Sequence, residues 1–269
     1  MKKKSNRVFL ASSIVSLACY GSYYMPTGFL PFLSLFSIAI PLVLTGNLLL
    51  LLTALLARKK WWVFPAISLL LGTNFILESY AFNTTSQSHD FSLLGYNVKS
   101  FREHKRYDKF SGELINWSVN ESSDIKCFQE YSTNPRWSAL DITSKMINNG
   151  YHAHVFKAKM EGDHAPGMAI FSKFPIIHRG LVWESIGRPN ACIYSDVLID
   201  KDTVRIYNIH LESMQLELHR LRKIKNLFST STDILSRIID GTKKHSQQIE
   251  QTIQHCLSSP YPLCPGRRL

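Results

Sequence analysis

The residues best suited to chemistry begin at Ile125-Lys126-Cys127-Phe128-Gln129-Glu130-Tyr131, a strand-like run that ends in a carboxylate. Buried strands normally close on turn residues. One that closes on Gln129-Glu130 sets an acid at a sheet's C-terminal edge, where α/β-type proteins hold ligands and metals. Three other stretches point to the same kind of site. Tyr96-Asn97 ends a second strand-like run. Tyr207-Asn208-Ile209-His210-Leu211-Glu212 spaces Asn208 and His210 two apart, on one face of a strand. Gly167-Met168-Ala169-Ile170-Phe171-Ser172-Lys173-Phe174-Pro175 is an apolar strand running into a turn.

These groups need a sheet to position them. Residues 91–98 read as a strand ending in Asn97. Residues 107–120 have helical spacing, with Phe110, Leu114 and Trp117 on one face. Residues 137–149 read as a helix closed by Gly150. Residues 151–156 read as a strand with His152 and His154 together on a face expected to be solvated. A loop at 160–166 contains His164, expected to be a bystander, as is Glu212. Residues 191–200 and 203–210 form a hairpin turning at Lys201-Asp202. Residues 214–257 are helical, with interruptions around 229–232 and at Gly241. This order predicts an α+β domain, a mixed sheet system with outer helices.

The front of the 269-residue chain is different. Residues 8–25, 29–57 and 61–82 are three apolar runs, free of charge until Glu78, each near the ~20 residues that span a bilayer. Lys2, Lys3, Lys4 and Arg7 precede the first run, and Arg58, Lys59 and Lys60 separate the second from the third. The positive-inside rule makes both basic stretches cytoplasmic, so three crossings (about 8–25, 34–57 and 61–82) leave the remainder outside. Seven Lys/Arg against one acid give residues 1–89 a charge of +6, so only +5 of the +11 total is left for the rest. That excess is mostly a topology signal and gives no call for nucleic acid as the partner. The five cysteines form no CxxC, so neither a zinc site nor a disulfide framework is supported. Cys127 and Cys192 read as reduced core residues.

In order and spacing, Tyr96-Asn97, Gln129-Glu130, the G-x-A-I-x-S-K-x-P segment from Gly167 and the N-x-H-L segment from Asn208 resemble the endonuclease/exonuclease/phosphatase superfamily. The resemblance covers about residues 91–262 and is nearest to membrane-anchored bacterial members. It implies a four-layer αββα sandwich over residues 91–269, joined by a polar linker at 83–90 to the transmembrane region at 1–82. It implies a metal-dependent phosphoester hydrolase, with Glu130 binding Mg²⁺ (or Mn²⁺), Asn97 arranging the metal and phosphate site, His210 contacting the scissile phosphate and Asn208 in structural support. The chemistry is consistent. A phosphodiester anion repels hydroxide, so hydrolysis needs a hard cation and donors for developing charge. Mg²⁺ is satisfied by one or two carboxylates with waters and phosphate. The implied setting is a multi-pass protein of the bacterial inner membrane with an extracytoplasmic domain. Its partners are the bilayer and a phosphoester of unknown class, and no protein partner is predicted.

The family pattern continues with G-D-x-N and S-D-H motifs, which supply the water-activating Asp and the catalytic His. Here Ser258-Ser259-Pro260-Tyr261-Pro262 is a suitable lead-in, but the sequence then reads Leu263-Cys264-Pro265-Gly266-Arg267-Arg268-Leu269. Shifting the frame by one base over the codons of the last three residues, a following TAA stop and one further base can yield Gly-Asp-Phe-Asn. The expectation is therefore a C-terminally truncated, incomplete sandwich, a frameshifted product with little or no activity. The competing expectation is a non-catalytic membrane protein whose outer domain binds a phosphorylated or lipid partner.

Overall fold

The computed structural model describes residues 2–25, 33–79, 91–103, 106–160, 165–212 and 227–261. The linker at 83–90, His164, residues 214–226 and the tail at 262–269 lie outside the described residues. The chain divides into two compact units, Met1–Gln87 with Met214–Ser246, and Ser88–Ser213 with Gln247–Leu269.

The first unit contains α1 (Lys2–Tyr24), a 3₁₀ turn (Leu33–Ala39), α2 (Ile40–Leu56), α3 (Val63–Leu71) and α4 (Thr73–Ser79). Among the described residues one helix, Phe36–Leu56, is long and apolar enough to cross a membrane. The third predicted span is a pair, Lys60–Leu71 and Thr73–Ser79, bent by 44°. The predicted first span is a continuous helix, but Ser12, Ser13, Ser16 and Ser22 dilute its apolar character. Three crossings are thus not established by length and composition.

The polar residues of these helices face one another. Asn47 Nδ2 donates to Ser16 Oγ at 2.9 Å and Ser68 Oγ to Ser13 Oγ at 3.1 Å, while the Tyr20 hydroxyl donates to Ser68 O at 3.1 Å. Gly72 allows this packing, since a Cβ there would lie 2.6 Å from the Tyr20 hydroxyl. Ser16, Asn47 and Ser68 are buried, whereas Ile14, Leu17, Leu42, Leu49 and Leu70 are exposed.

The second unit is layered. β1 (Leu93–Asn97), β4 (Ile125–Tyr131), β6 (Gly167–Ser172) and β5 (His152–Lys157) form one sheet in the order β1-β4-β6-β5, with β1 parallel to β4 and the other pairs antiparallel. β7 (Ile176–Glu184), β8 (Ala191–Ile199) and β9 (Asp202–His210) form an antiparallel second sheet, and β2 (Arg102–Glu103) pairs with β3 (Arg106–Phe110). Alternation along the strands builds two cores. Phe128, Tyr131 and Phe171 turn toward Ile115 of α5 (Gly112–Asn120) and Met146 of α6 (Ile142–Asn148). Ile125, Cys127, Met168 and Ile170 turn the other way, toward Ile193, Val197 and Ile206 of the second sheet. The outer face of that sheet meets the end of α7 (Leu227–Leu257): Trp183 Nε1 donates to Thr252 Oγ1 at 2.9 Å, and the Tyr207 hydroxyl lies 2.8 Å from His255 Nδ1. The layers are therefore helix, sheet, sheet, helix.

Local chemistry sets the boundaries. Ser111 caps α5 by accepting from Leu114 N, and Asp141 caps α6 by accepting from Ser144 N. Both helices start later than their apolar spacing suggests, because residues 106–110 pair as β3 and residues 132–141 fold as turns. Gly150, at φ +87°, ends α6 as expected. α7 runs unbroken through Gly241, without the interruptions expected at 229–232 and 241. His152 is exposed as expected, but His154 is not. It is buried, with Nδ1 3.0 Å from Ser195 Oγ, because the second sheet covers that face of β5.

Candidate metal and phosphate site

Asn97, Glu130, Asn208 and His210 come from three strands in two sheets and meet where β1 and β4 end. β1 and β4 run parallel in register, Asn97 against Gln129, so both strands deliver their last side chains to the same edge. The sheet register then skips a residue. Gln129 pairs with Met168 and Tyr131 with Gly167, leaving Glu130 as a bulge at φ +50°. In a regular strand Glu130 would follow Phe128 into the helix-facing core. The bulge re-aims it to the sheet edge. A left-handed, non-glycine residue costs about 1–2 kcal/mol, and strain of this kind concentrates at functional positions. The glycine opposite is required for another reason: a Cβ on Gly167 would lie 1.9 Å from the Phe156 carbonyl oxygen.

Asn97 Nδ2 donates to Glu130 Oε1 at 2.9 Å, and Asn97 Oδ1 accepts from Lys99 N at 3.0 Å. The backbone from Lys99 to Phe101 is left-handed at all three residues, pinned by fully buried Phe101. His210 Nε2 lies 3.5 Å from Glu130 Oε1. His210 and Asn97 hold the Glu130 carboxyl below the usual carboxylate range, with Lys99 adding to the effect, against burial, which opposes it. Glu130 is thus anionic at neutral pH. Its Oε2 has no hydrogen-bond partner among the described residues, so one oxygen is oriented and the other is left for a ligand.

Behind this edge, Asn208 is buried between the sheets. Its Nδ2 donates to Phe128 O and Ala169 O, both at 3.0 Å, and its Oδ1 accepts from Gln129 Nε2 at 2.6 Å. Glu212 and Ser172 are occupied elsewhere. Glu212 pairs with Arg188 at 3.1 Å, and Ser172 Oγ accepts from Phe174 N at 3.0 Å within its turn.

Comparison with known proteins follows this division of the chain. A family model described as a domain of unknown function (DUF8431) matches residues 7–79, the helical stretch. No curated protein matches. The solved structures similar to the chain include endonuclease/exonuclease/phosphatase family proteins, beta toxin and a sphingomyelinase. One is a family protein from Leptotrichia buccalis, at 14% identity over 55% of this chain and 74% of that chain, TM-score 0.36. Another is a Staphylococcus aureus beta toxin with bound magnesium ions, at 17% identity over 51% and 55%, TM-score 0.36. Sphingomyelinase C from Streptomyces griseocarneus is similar at 13% over 47% and 50%, TM-score 0.34. The chain spans about half the length of the last two.

Sequence reasoning named Asn97, Glu130, Asn208 and His210; the fold brings Asn97, Glu130 and His210 to one edge and buries Asn208 behind it. That reasoning gave Gln129 no role of its own, although alternation with Ile125 and Cys127 sets this polar side chain on the face toward the second sheet. It also missed Lys126, fully buried on β4, whose Nζ donates to Ser118 O at 3.0 Å and Val119 O at 3.2 Å and so caps the C-terminal end of α5.

Proposed function

We propose that the sandwich is the phosphoester-hydrolase domain of a membrane-anchored protein and that Glu130 holds its divalent cation. The observation that carries this reading is the meeting of Glu130, Asn97 and His210 at the end of β4, with one carboxylate oxygen oriented and the other unpartnered. An anionic, half-buried carboxylate beside Asn97 and His210 suits Mg²⁺ or Mn²⁺, which take one or two carboxylates and complete the shell with water and phosphate oxygens. When bound, the cation would neutralise charge on the phosphoryl oxygens. Asn97 fixes the carboxylate's orientation, and His210 stands within reach of a phosphate held there and donates to its oxygens.

Membrane anchoring draws support from the helical unit, whose buried residues include Ser16, Asn47 and Ser68 while leucines and isoleucines face out. That is the pattern of helices packed in lipid, where small and polar residues form the interface. On this reading α1 crosses as well, its serines facing its neighbours, and the protein is a three-span component of the bacterial inner membrane with the sandwich outside.

Among the described residues no carboxylate besides Glu130 is hydrogen-bonded into the cluster, so we expect this chain to bind metal and phosphoester with slow or no turnover. The whole protein's substrate, whether DNA, phospholipid head group or sugar phosphate, is not chosen by these residues. The test is calorimetry of the full chain in detergent with Mg²⁺ and a dialkyl phosphodiester, alongside hydrolysis of an activated phosphodiester. Affinity with turnover supports a hydrolase, and affinity without turnover supports a binding domain. Absence of both overturns the reading.

A further inference from the structure

Asn208 touches no ligand position, yet its side chain is committed. It is 1% exposed, donates to two carbonyls and accepts from Gln129. The two carbonyls belong to neighbouring strands of the first sheet, Phe128 on β4 and Ala169 on β6, which pair in register. Both of those residues turn their side chains to the helix layer, so their backbone faces the second sheet uncovered. Around Asn208 the interface is apolar, with Cys127, Met168 and Ile170 against Ala191 and Ile193. Apolar contact is non-directional and sets no fixed offset between two sheets. Three directional bonds from one buried amide do set one. Gln129 immediately precedes Glu130, and Asn208 lies two residues before His210 on the same strand face. The bonds therefore act one residue from the carboxylate and two from the imidazole.

We propose that Asn208, with Gln129, is a positioning pair that fixes the offset of β9 on β4 and thereby the separation of Glu130 and His210. This rests on the reading of Glu130 as a metal ligand. Its consequence is that the cation site is assembled only while the two sheets are locked in this offset. Residues that orient metal ligands without touching the metal typically change affinity 10–100-fold when removed.

The experiment compares Asn208→Ala and Asn208→Asp with Ile125→Ala in the full chain. Ile125 is buried in the same sheet interface at the opposite end of β4, so its truncation destabilises the sandwich without touching the lock. Mn²⁺ affinity, measured well below each variant's melting temperature, is expected to fall at least about tenfold in both Asn208 variants and to stay at the wild-type value in Ile125→Ala. Wild-type affinity in Asn208→Ala, or an equal loss in Ile125→Ala, would overturn the proposal. A second readout needs no metal. Glu130→Gln is expected to move the His210 ring NMR signals in the wild-type background and to leave them in place in the Asn208→Ala background. Should the wild-type chain bind no Mn²⁺, the metal reading fails and this readout alone decides the lock. Equal movement of the His210 signals in both backgrounds overturns it.

Discussion

The helical unit and the sandwich distribute polarity in opposite ways. α2 buries Asn47 and leaves Leu42 and Leu56 76% and 86% exposed, whereas β4 buries Ile125, Cys127 and Phe128 and leaves Gln129 and Glu130 only half-buried near its end. Both units pair most of the polar groups they remove from water, Asn47 Oδ1 and Ser118 Oγ being exceptions among the described residues. They differ in what surrounds them. In the sandwich, water makes apolar burial the driving force. In the helices, apolar side chains gain nothing by turning inward if the surroundings are lipid, and hydrogen bonds between Ser13, Ser16, Tyr20, Asn47 and Ser68 take over as the link. Ser13 and Ser16 of α1 are such interface residues.

The contrast can be broken most forcefully in the sandwich core. Phe128, packed against Phe101, Tyr131 and Phe171, should cost about 3–5 kcal/mol on truncation to Ala, read by thermal or denaturant unfolding of the sandwich. Leu42→Ala should cost well under 1 kcal/mol, as expected of an exposed position, and its effect should appear as weaker retention in bilayers. Gly167→Ala should rank next, at about 1–3 kcal/mol of overpacking, because its new methyl meets the backbone carbonyl of Phe156 rather than a side chain that can yield. In the helices Asn47→Leu sharpens the comparison. It loses the interhelical hydrogen bond to Ser16 and should weaken the bundle by about 1 kcal/mol in bicelles, where the same change in a water-driven core would be neutral or stabilising.

A further effect is one of pH. Burial, reinforced by the Arg179 guanidinium, pushes the His154 imidazole down to about 4. The unfolded chain takes up that proton near pH 6.5, so the sandwich should lose stability as pH falls from about 6.5 through 4, with no further loss from this group below that range. His154→Gln should flatten this slope. Burial likewise lowers the Lys126 ammonium to about 8, so this group should raise stability as pH climbs from about 8 toward its unfolded value near 10.4.

Much of the sandwich was legible because its central strands are short, largely apolar runs bounded by turn or polar residues. Residues 91–98, 124–131 and 191–210 gave the central strands, and the two-residue spacing of Asn208 and His210 placed them on one face before any coordinates. Three features were not legible, each because it depends on a neighbour distant in sequence. The bulge at Glu130 exists only against Met168 and Gly167 on β6. His154 is buried only because Ser195 and the second sheet cover it. Residues 106–110 read as part of a helix until β2 offers them a partner. Local periodicity carries none of this information, since the same residues satisfy either pattern until the partner strand is present.

Mg²⁺ titration of the full chain by calorimetry, beside Glu130→Gln, tests the central claim most directly. The substitution keeps the side chain's size and its contacts with Asn97 but removes the charge a hard cation requires. The account predicts a saturable Mg²⁺ signal in the wild-type chain, strengthened by phosphodiester and abolished by Glu130→Gln. An identical signal in both proteins, or none in the wild type, would contradict it.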